Sequence, residues 1–484
     1  MFTTTALTLL SLLGGTAMAD TIHGVVVFTR HGDRTTKHYG AQALTNLGTT
    51  QNFQVGSDYR ARYITAGSPQ RILNISEFNY VSSQVYATAP NQGILLNTAT
   101  AFLQGLYPPL VGLKDEVASQ TLNNGTSSTS PLNGYQYVTL QGVVGNSPDA
   151  IWIKGDEGCP AVTEASESFE DSDEFTARLA ATRDFYHSLH PVLQSVYDYK
   201  SPDDMSYAKA YDIFDLINVA RIHNATSSAR DVTDEQLFQL RTLADSAEFG
   251  YNYNLTQPTR SIHAQTFSAA ILKQLNQTVA SKGKLKFSLL GGSYDTFLGF
   301  FGLANLTAAD PNFFGLPDYA STMAFEIFSP DTVTSFPADP DAALRVRFLF
   351  RNSTLGTLTS FPLFGTGAES LSWPDFVRQM QHRAIATTAE WCSVCASTAN
   401  FCAAYKQDNA LASSPGGLSN TVAGVIGAMV TLGVVAILGA LAFVLLRKRR
   451  SAPVAPAPEA AVSGKMSLDS GSEGGGSVQA SEMA

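Results

Sequence analysis

Apolar and polar positions along the chain fall into three units of one shape: a short β-rich run, a turn, then a helical pattern. The first run, Ile22 to Thr29, ends in Arg30-His31-Gly32-Asp33-Arg34. The second, Gln84 to Thr88, ends in Ala89-Pro90-Asn91-Gln92. Behind it Leu95, Ala99, Phe102, Leu103 and Leu106 recur at the spacing of one face of an amphipathic helix. The third, Leu285 to Leu290, ends in Gly291-Gly292-Ser293-Tyr294-Asp295; a helix from near Thr296 then carries Phe297, Phe300, Phe301 and Leu303. From Glu164 to Phe249 the pattern is helical, with a capping box at Thr233-x-x-Gln236 and acidic Asp171, Asp173 and Glu174 where a helix start favours them. Alternating strands and helices predict an α/β core, with the block at about 160–250 as a helical cap or insertion. In open α/β sheets ligands bind outside the carboxyl ends of the strands, so the three turns converge on one candidate site.

The two ends have different patterns. Ala6 to Leu13 is a short apolar run, and Ala17-Met18-Ala19 before Asp20 is a small-x-small cleavage signature, which predicts a signal peptide over 1–19. Thr421 to Leu446 carries no charge and is long enough to span a bilayer as a helix. Arg447-Lys448-Arg449-Arg450 follows and sets the tail on the cytoplasmic side. The expected organisation is an extracellular or lumenal domain over 20–402, a stalk over 403–420, one transmembrane helix over 421–446 and a disordered cytoplasmic tail over 447–484. This is a type I single-pass protein of the cell surface or a secretory-pathway membrane. Small-xxx-small pairs at Gly424/Ala428 and Ala436/Ala440 would allow a weak homodimer through the span.

Composition adds little beyond a globular bulk, but the net charge of −10 argues against a nucleic-acid partner. Cys159, Cys392, Cys395 and Cys402 are disulfide candidates with three connectivities open. Sequons at Asn74, Asn124, Asn224, Asn254, Asn276, Asn305 and Asn352 all lie between the two hydrophobic ends, as glycosylation of an outer domain requires. His187 and His190 have a spacing that could hold a metal, but no carboxylate pattern supports them, and no metal or cofactor is expected. His263 is read as scaffold, and His38 as lining the pocket mouth.

The chemistry is concentrated in the first turn. An imidazole between two guanidiniums is suited to attack phosphorus and hold the phosphoryl group, which splits hydrolysis into two steps. Arg30 and Arg34 would clamp the phosphoryl oxygens with forked donors, and Gly32 would let the backbone approach the ligand.

The strand with Arg30-His31-Gly32-Asp33-Arg34 resembles the signature of the histidine phosphatase superfamily, in its acid phosphatase and phytase branch. Ala101 to Pro109 and Lys284 to Leu303 are similar to that family's segments after its second strand and around its late strand. The resemblance is to a fungal-type, membrane-anchored member. It implies a phosphoglycerate-mutase-like sandwich core with a mostly parallel central sheet and a helical cap. It also implies hydrolysis of phosphomonoesters at acid pH with no cofactor. His31 would be the nucleophile, Arg30 and Arg34 would bind phosphate, and Asp295 would be the general acid. The sequence departs from the family twice. Gln92 stands where a third phosphate-binding Arg is expected, and Tyr294 where a His precedes the acid, so the motif is degenerate. Two readings follow: an acid phosphatase of low activity, or a decayed pseudophosphatase serving as a surface binding module. Loss of one preorganised donor lowers a rate by roughly 10²–10³.

Overall fold

The computed structural model describes residues 20–405. The expected signal peptide, most of the stalk, the span and the tail lie outside the described residues. No helix among the described residues is long and apolar enough to cross a membrane.

Ten strands are formed among these residues: β1 (Thr21–Arg30), β2 (Val85–Pro90), β3 (Ser119–Thr121), β4 (Ser127–Thr129), β5 (Gln141–Val143), β6 (Phe287–Gly292), β7 (Thr322–Ser329), β8 (Arg345–Arg351), β9 (Thr359–Ser360) and β10 (Ser370–Ser372). Strands β3 and β4 make a separate hairpin, and the rest form one sheet in the order β10-β8-β7-β1-β6-β2-β5, with β9 on β8. From β1 through β6 and β2 to β5 the pairing is parallel, whereas β7, β8, β9 and β10 add antiparallel. The sheet is therefore mixed, not mostly parallel as expected. Strand β7 enters from the far end after the helix Tyr294–Leu303 and pairs antiparallel with β1, and β8 turns back beside it.

Strand β1 is buried on both faces and divides two cores. Val25 and Val27 face the side covered by helices Asn46–Tyr63 and Gly93–Leu106, while Val26 and Phe28 face helices Ile262–Ala280 and Tyr294–Leu303. An irregularity between Ile22 and Gly24 turns Ile22 to the same side as Val25 and Val27. The five apolar residues expected on one face of helix Gly93–Leu106 are all buried. The full burial of Phe28 alone is worth about 1.5–3 kcal/mol.

The expected cap is helical, with long helices Asp173–Ser188, Ala210–His223 and Asp234–Asn252. The last begins with the predicted box: Thr233 Oγ1 accepts from the Gln236 amide, and the Gln236 side chain accepts from the Thr233 amide. Ser172 caps the first, ahead of Asp173 and Glu174. The disulfides are Cys159–Cys395 and Cys392–Cys402, which resolves the open connectivity. The sequon asparagines are exposed, apart from the half-buried Asn254. Among the described residues no group of His, Cys, Asp or Glu side chains is arranged to hold a metal ion.

Candidate functional site

Strands β1 and β6 end side by side, Arg30 opposite Gly292, so the Arg30–Arg34 turn and the Tyr294–Asp295 turn meet at the carboxyl edge of the sheet. The first turn is held from behind by the helix Asn46–Tyr63. Asn52 accepts from the Gly32 amide at 2.7 Å and donates to the Arg30 carbonyl at 3.1 Å. Gln51 accepts from the Asp33 amide at 2.7 Å. Gly32 is required by this packing rather than by ligand approach, since a Cβ there would lie 2.4 Å from the Gly48 carbonyl oxygen.

His31 is buried, with Nδ1 2.9 Å from the Gly32 carbonyl oxygen. A carbonyl can only accept, so Nδ1 carries the proton and Nε2 keeps its lone pair. Burial, then Arg30, Arg34 and Lys37, hold the imidazole pKa well below its usual value. The ring is therefore neutral, with a free lone pair on Nε2.

The cations around it are not equivalent. Arg30 donates to the Pro317 carbonyl, and its guanidinium lies 5.2 Å from the Tyr294 ring centre and 4.9 Å from that of Tyr319. Its buried Nε has no partner. Arg34 is paired with Asp215 at 3.0 Å, both buried, and donates to the Tyr211 hydroxyl at 2.9 Å. Burial opposes the Arg34 charge, and Tyr211, Tyr319 and Asp215 outweigh it. Asp215 also accepts from Thr36 Oγ1 and the Lys37 amide, each at 2.8 Å. That fixes the backbone of Lys37, whose ammonium lies 5.7 Å from both the Tyr211 and Tyr294 ring centres. Asp33 faces away from His31's role: it accepts from Thr45 Oγ1 and lies 2.6 Å from His223 Nε2.

On the second turn, Tyr294 is buried, and burial and then the charge of Glu248 on the cap helix Asp234–Asn252 hold its phenol well above the ordinary value. Burial pushes the Glu248 carboxyl up to about 7. Burial alone would also raise Asp295, but Lys154, His263, the Thr296 amide and Lys37 outweigh it and leave it below the usual range. Its Oδ1 is buried without a partner.

Gln92 stands exposed ahead of the helix Gly93–Leu106, with no capping bond, and no hydrogen bond or ion pair joins it to Arg30, His31 or Arg34. The chain at this point is tied instead to β5, the Asn91 amide donating to Val143. His38 is bound to the cap, 2.9 Å from Asp212, and His263 is buried on the helix Ile262–Ala280. His187 faces Asp203 at 3.4 Å.

Sequence reasoning missed Lys37, Lys154, Asp215 and Glu248. Lys37 had a signal, being three residues past Arg34. Lys154 is brought in by long-range ties: the Gly155 carbonyl accepts from Trp391, and Cys159 is bonded to Cys395.

The chain matches the histidine phosphatase superfamily (branch 2) over residues 36–350. No curated protein matches it in sequence. Among solved structures, the phytase from Citrobacter braakii is similar at 12% identity and TM-score 0.50, covering 78% of this chain and 99% of that one. The Hafnia alvei phytase in its apo form gives 14% and 0.48, covering 78% and 98%. The phytase from D. castellii gives 11% and 0.48, covering 83% and 87%. Likeness at such identities concerns the fold alone. The family match spans well over half the chain, and the chain belongs to the histidine phosphatase superfamily, branch 2.

Proposed function

We propose that this protein is a phosphomonoester hydrolase that works through phosphohistidine at His31. The observation that carries the reading is the fixed tautomer: Nδ1 is held by the Gly32 carbonyl, leaving Nε2 as the nucleophile of a neutral ring. Nε2 attacks phosphorus, the ester oxygen leaves, and water then releases phosphate from the histidine. Arg30 and Lys37 are placed to bear the charge on the phosphoryl oxygens, and Arg34 joins them to the extent that it leaves Asp215. Asp295 is the residue to which the family resemblance gives the leaving-group proton. The buried Arg34–Asp215 pair and Tyr294 in place of the expected His favour a second reading, a site that binds phosphate without turnover.

The test is turnover of a generic aryl phosphate by the full-length chain, with labelled phosphate trapped by a denaturing alkaline quench. Label on the wild type and none on His31→Ala supports the enzyme. Phosphate binding without label or product supports the second reading. We propose further that the domain faces an oxidising compartment, which the pairing of all four cysteines supports. Protease added to intact cells should leave an epitope on the tail protected, and loss of that epitope without permeabilisation would refute the orientation.

A further inference from the structure

We propose that the substrate of this site carries a single phosphoryl group on an aromatic, uncharged leaving group, and that Asp318 sets this choice by occupying Arg241. The proposal rests on the phosphatase reading of His31 and names the substrate class of that same site.

A recess of about 320 Å³ adjoins the His31 turn, at the lower end of the roughly 300–1,000 Å³ of small-molecule clefts. Arg30 lines it together with the rings of Tyr211, Phe214 and Tyr319. The Tyr319 ring centre is 4.9 Å from the Arg30 guanidinium and 5.7 Å from the centre of the His31 ring, so one wall of the recess is also a neighbour of the reacting group. Aromatic walls of this kind favour a flat apolar ring beside the phosphoryl group.

The charges decide what else can enter. Two arginines and two aspartates line the recess: Arg30, Arg241, Asp215 and Asp318. Asp215 is spent on Arg34. Arg241 is the cation that a second phosphate would need, and its guanidinium is already engaged on three sides. Its Nε donates to Asp245 at 2.8 Å, its Nη1 to Asp318 at 2.9 Å and its Nη2 to the Leu316 carbonyl. The Asp318 backbone is fixed as well, its amide donating to Asn352 Oδ1 at 2.8 Å. A second phosphate would therefore meet a neutralised guanidinium and a fixed carboxylate, and would give up water without gaining a cation. An uncharged ring has no such cost.

Arg241 and Leu316 also line a larger cleft of about 1000 Å³. Its charged lining is three arginines and three carboxylates. Arg178 pairs with Glu174 at 3.0 Å, and Arg260 donates to the Ala165 and Gly250 carbonyls. Phe238 and Phe314 remain 73% and 49% exposed there, and exposed rings gathered at a cleft mark a surface for an apolar group. A leaving group longer than one ring would thus continue onto aromatic surface and again meet no unengaged arginine.

The full-length protein would be titrated calorimetrically with benzylphosphonate, one phosphoryl group on an aromatic ring, and with myo-inositol hexakissulfate, a polyanion. Neither is a phosphate ester, so binding is read apart from turnover. The wild type should bind the phosphonate more tightly. Asp318→Asn keeps the shape and releases one side of Arg241. The preference should then move toward the hexasulfate by about 10-fold, the lower value of a charge-assisted contact, because Arg241 is partly exposed. Arg241→Gln leaves Asp318 unpaired and should move the preference the other way. Opposite movements cannot come from a loss of folded protein. A wild type that prefers the hexasulfate, or a preference unchanged in Asp318→Asn, would overturn the proposal. Turnover of p-nitrophenyl phosphate is measured alongside. The expected binding without turnover leaves the ligand class standing and removes the phosphatase reading, whereas turnover with the hexasulfate preferred removes this proposal alone.

Discussion

Asp215→Asn isolates the feature that most separates this site from an open phosphate cradle. In the wild type, Arg34 and Asp215 are 1% and 2% exposed and 3.0 Å apart. Removing one partner of such a pair leaves a buried charge and destabilises by about 3–5 kcal/mol. Asn keeps one oxygen, which can still accept from Thr36 or from the Lys37 amide, so the loss should fall at the lower end, about 3 kcal/mol. The freed guanidinium is the compensating gain. It faces the Tyr319 ring beside Arg30 and His31, where a bound phosphate would replace the lost carboxylate. One charge-assisted hydrogen bond contributes about 1.5–3 kcal/mol, so phosphate should bind roughly 10–150-fold more tightly to the variant. Calorimetric titration of the full-length protein with inorganic phosphate measures the affinity, and thermal unfolding with and without phosphate measures the rest. The variant should melt lower than wild type in buffer and recover more on adding phosphate. A variant that melts lower but binds phosphate no more tightly would refute the reasoning, because Arg34 would then belong to the scaffold and not to the cradle.

Lys37→Met should lower kcat/KM by about 10–150-fold, the value of one charge-assisted contact, with little change in melting because the side chain is exposed. His23 is buried against Ser329, and burial and then Lys286 lower its pKa to about 4. The unfolded chain protonates this residue near 6.5 while the folded chain resists to about 4, so stability falls as pH drops through that window. His23→Gln should remove about 3 kcal/mol of that loss in denaturant titrations at pH 4 against pH 7. The paired change Cys159→Ser with Cys395→Ser opens a link spanning 236 residues and should destabilise by about 5 kcal/mol. It should also lower the rate, because Lys154 loses its anchor.

What could be read in advance was what local pattern controls. The run Val25 to Phe28 ending at Arg30 is continuously apolar because β1 is covered on both faces, and its end places the nucleophile. The helix after β2 and the Thr233 box are periodic or local features, and both formed where expected. The antiparallel strands β7 and β8 went unread because their identity lies in non-local pairing: Glu326 in β7 is buried between Arg62, Tyr63 and Arg347, and no short-range pattern announces such a residue as strand core. The same holds within the site. Glu248 meets the second turn only because the cap packs its helix against the helix Tyr294–Leu303, and Lys154 precedes the segment that Cys159–Cys395 ties down.

The charges in the site also bear on the pH at which it would work. Arg34 is paired with Asp215, while Lys37 and, to a lesser degree, Arg30 face Glu248. Above about pH 7 the Glu248 carboxylate offsets part of both charges. Below it Glu248 takes a proton, and Lys37 and Arg30 are freed to meet the substrate. A phosphomonoester loses its second charge as pH falls through about 6. The strongest attraction therefore lies between these two values, where the substrate is still largely dianionic and Glu248 is already largely neutral. Further into acid the substrate loses charge, but His31 stays a free base because its own pKa is held well below the ordinary value. Binding should then weaken before attack does, so KM should rise on the acid side while kcat holds.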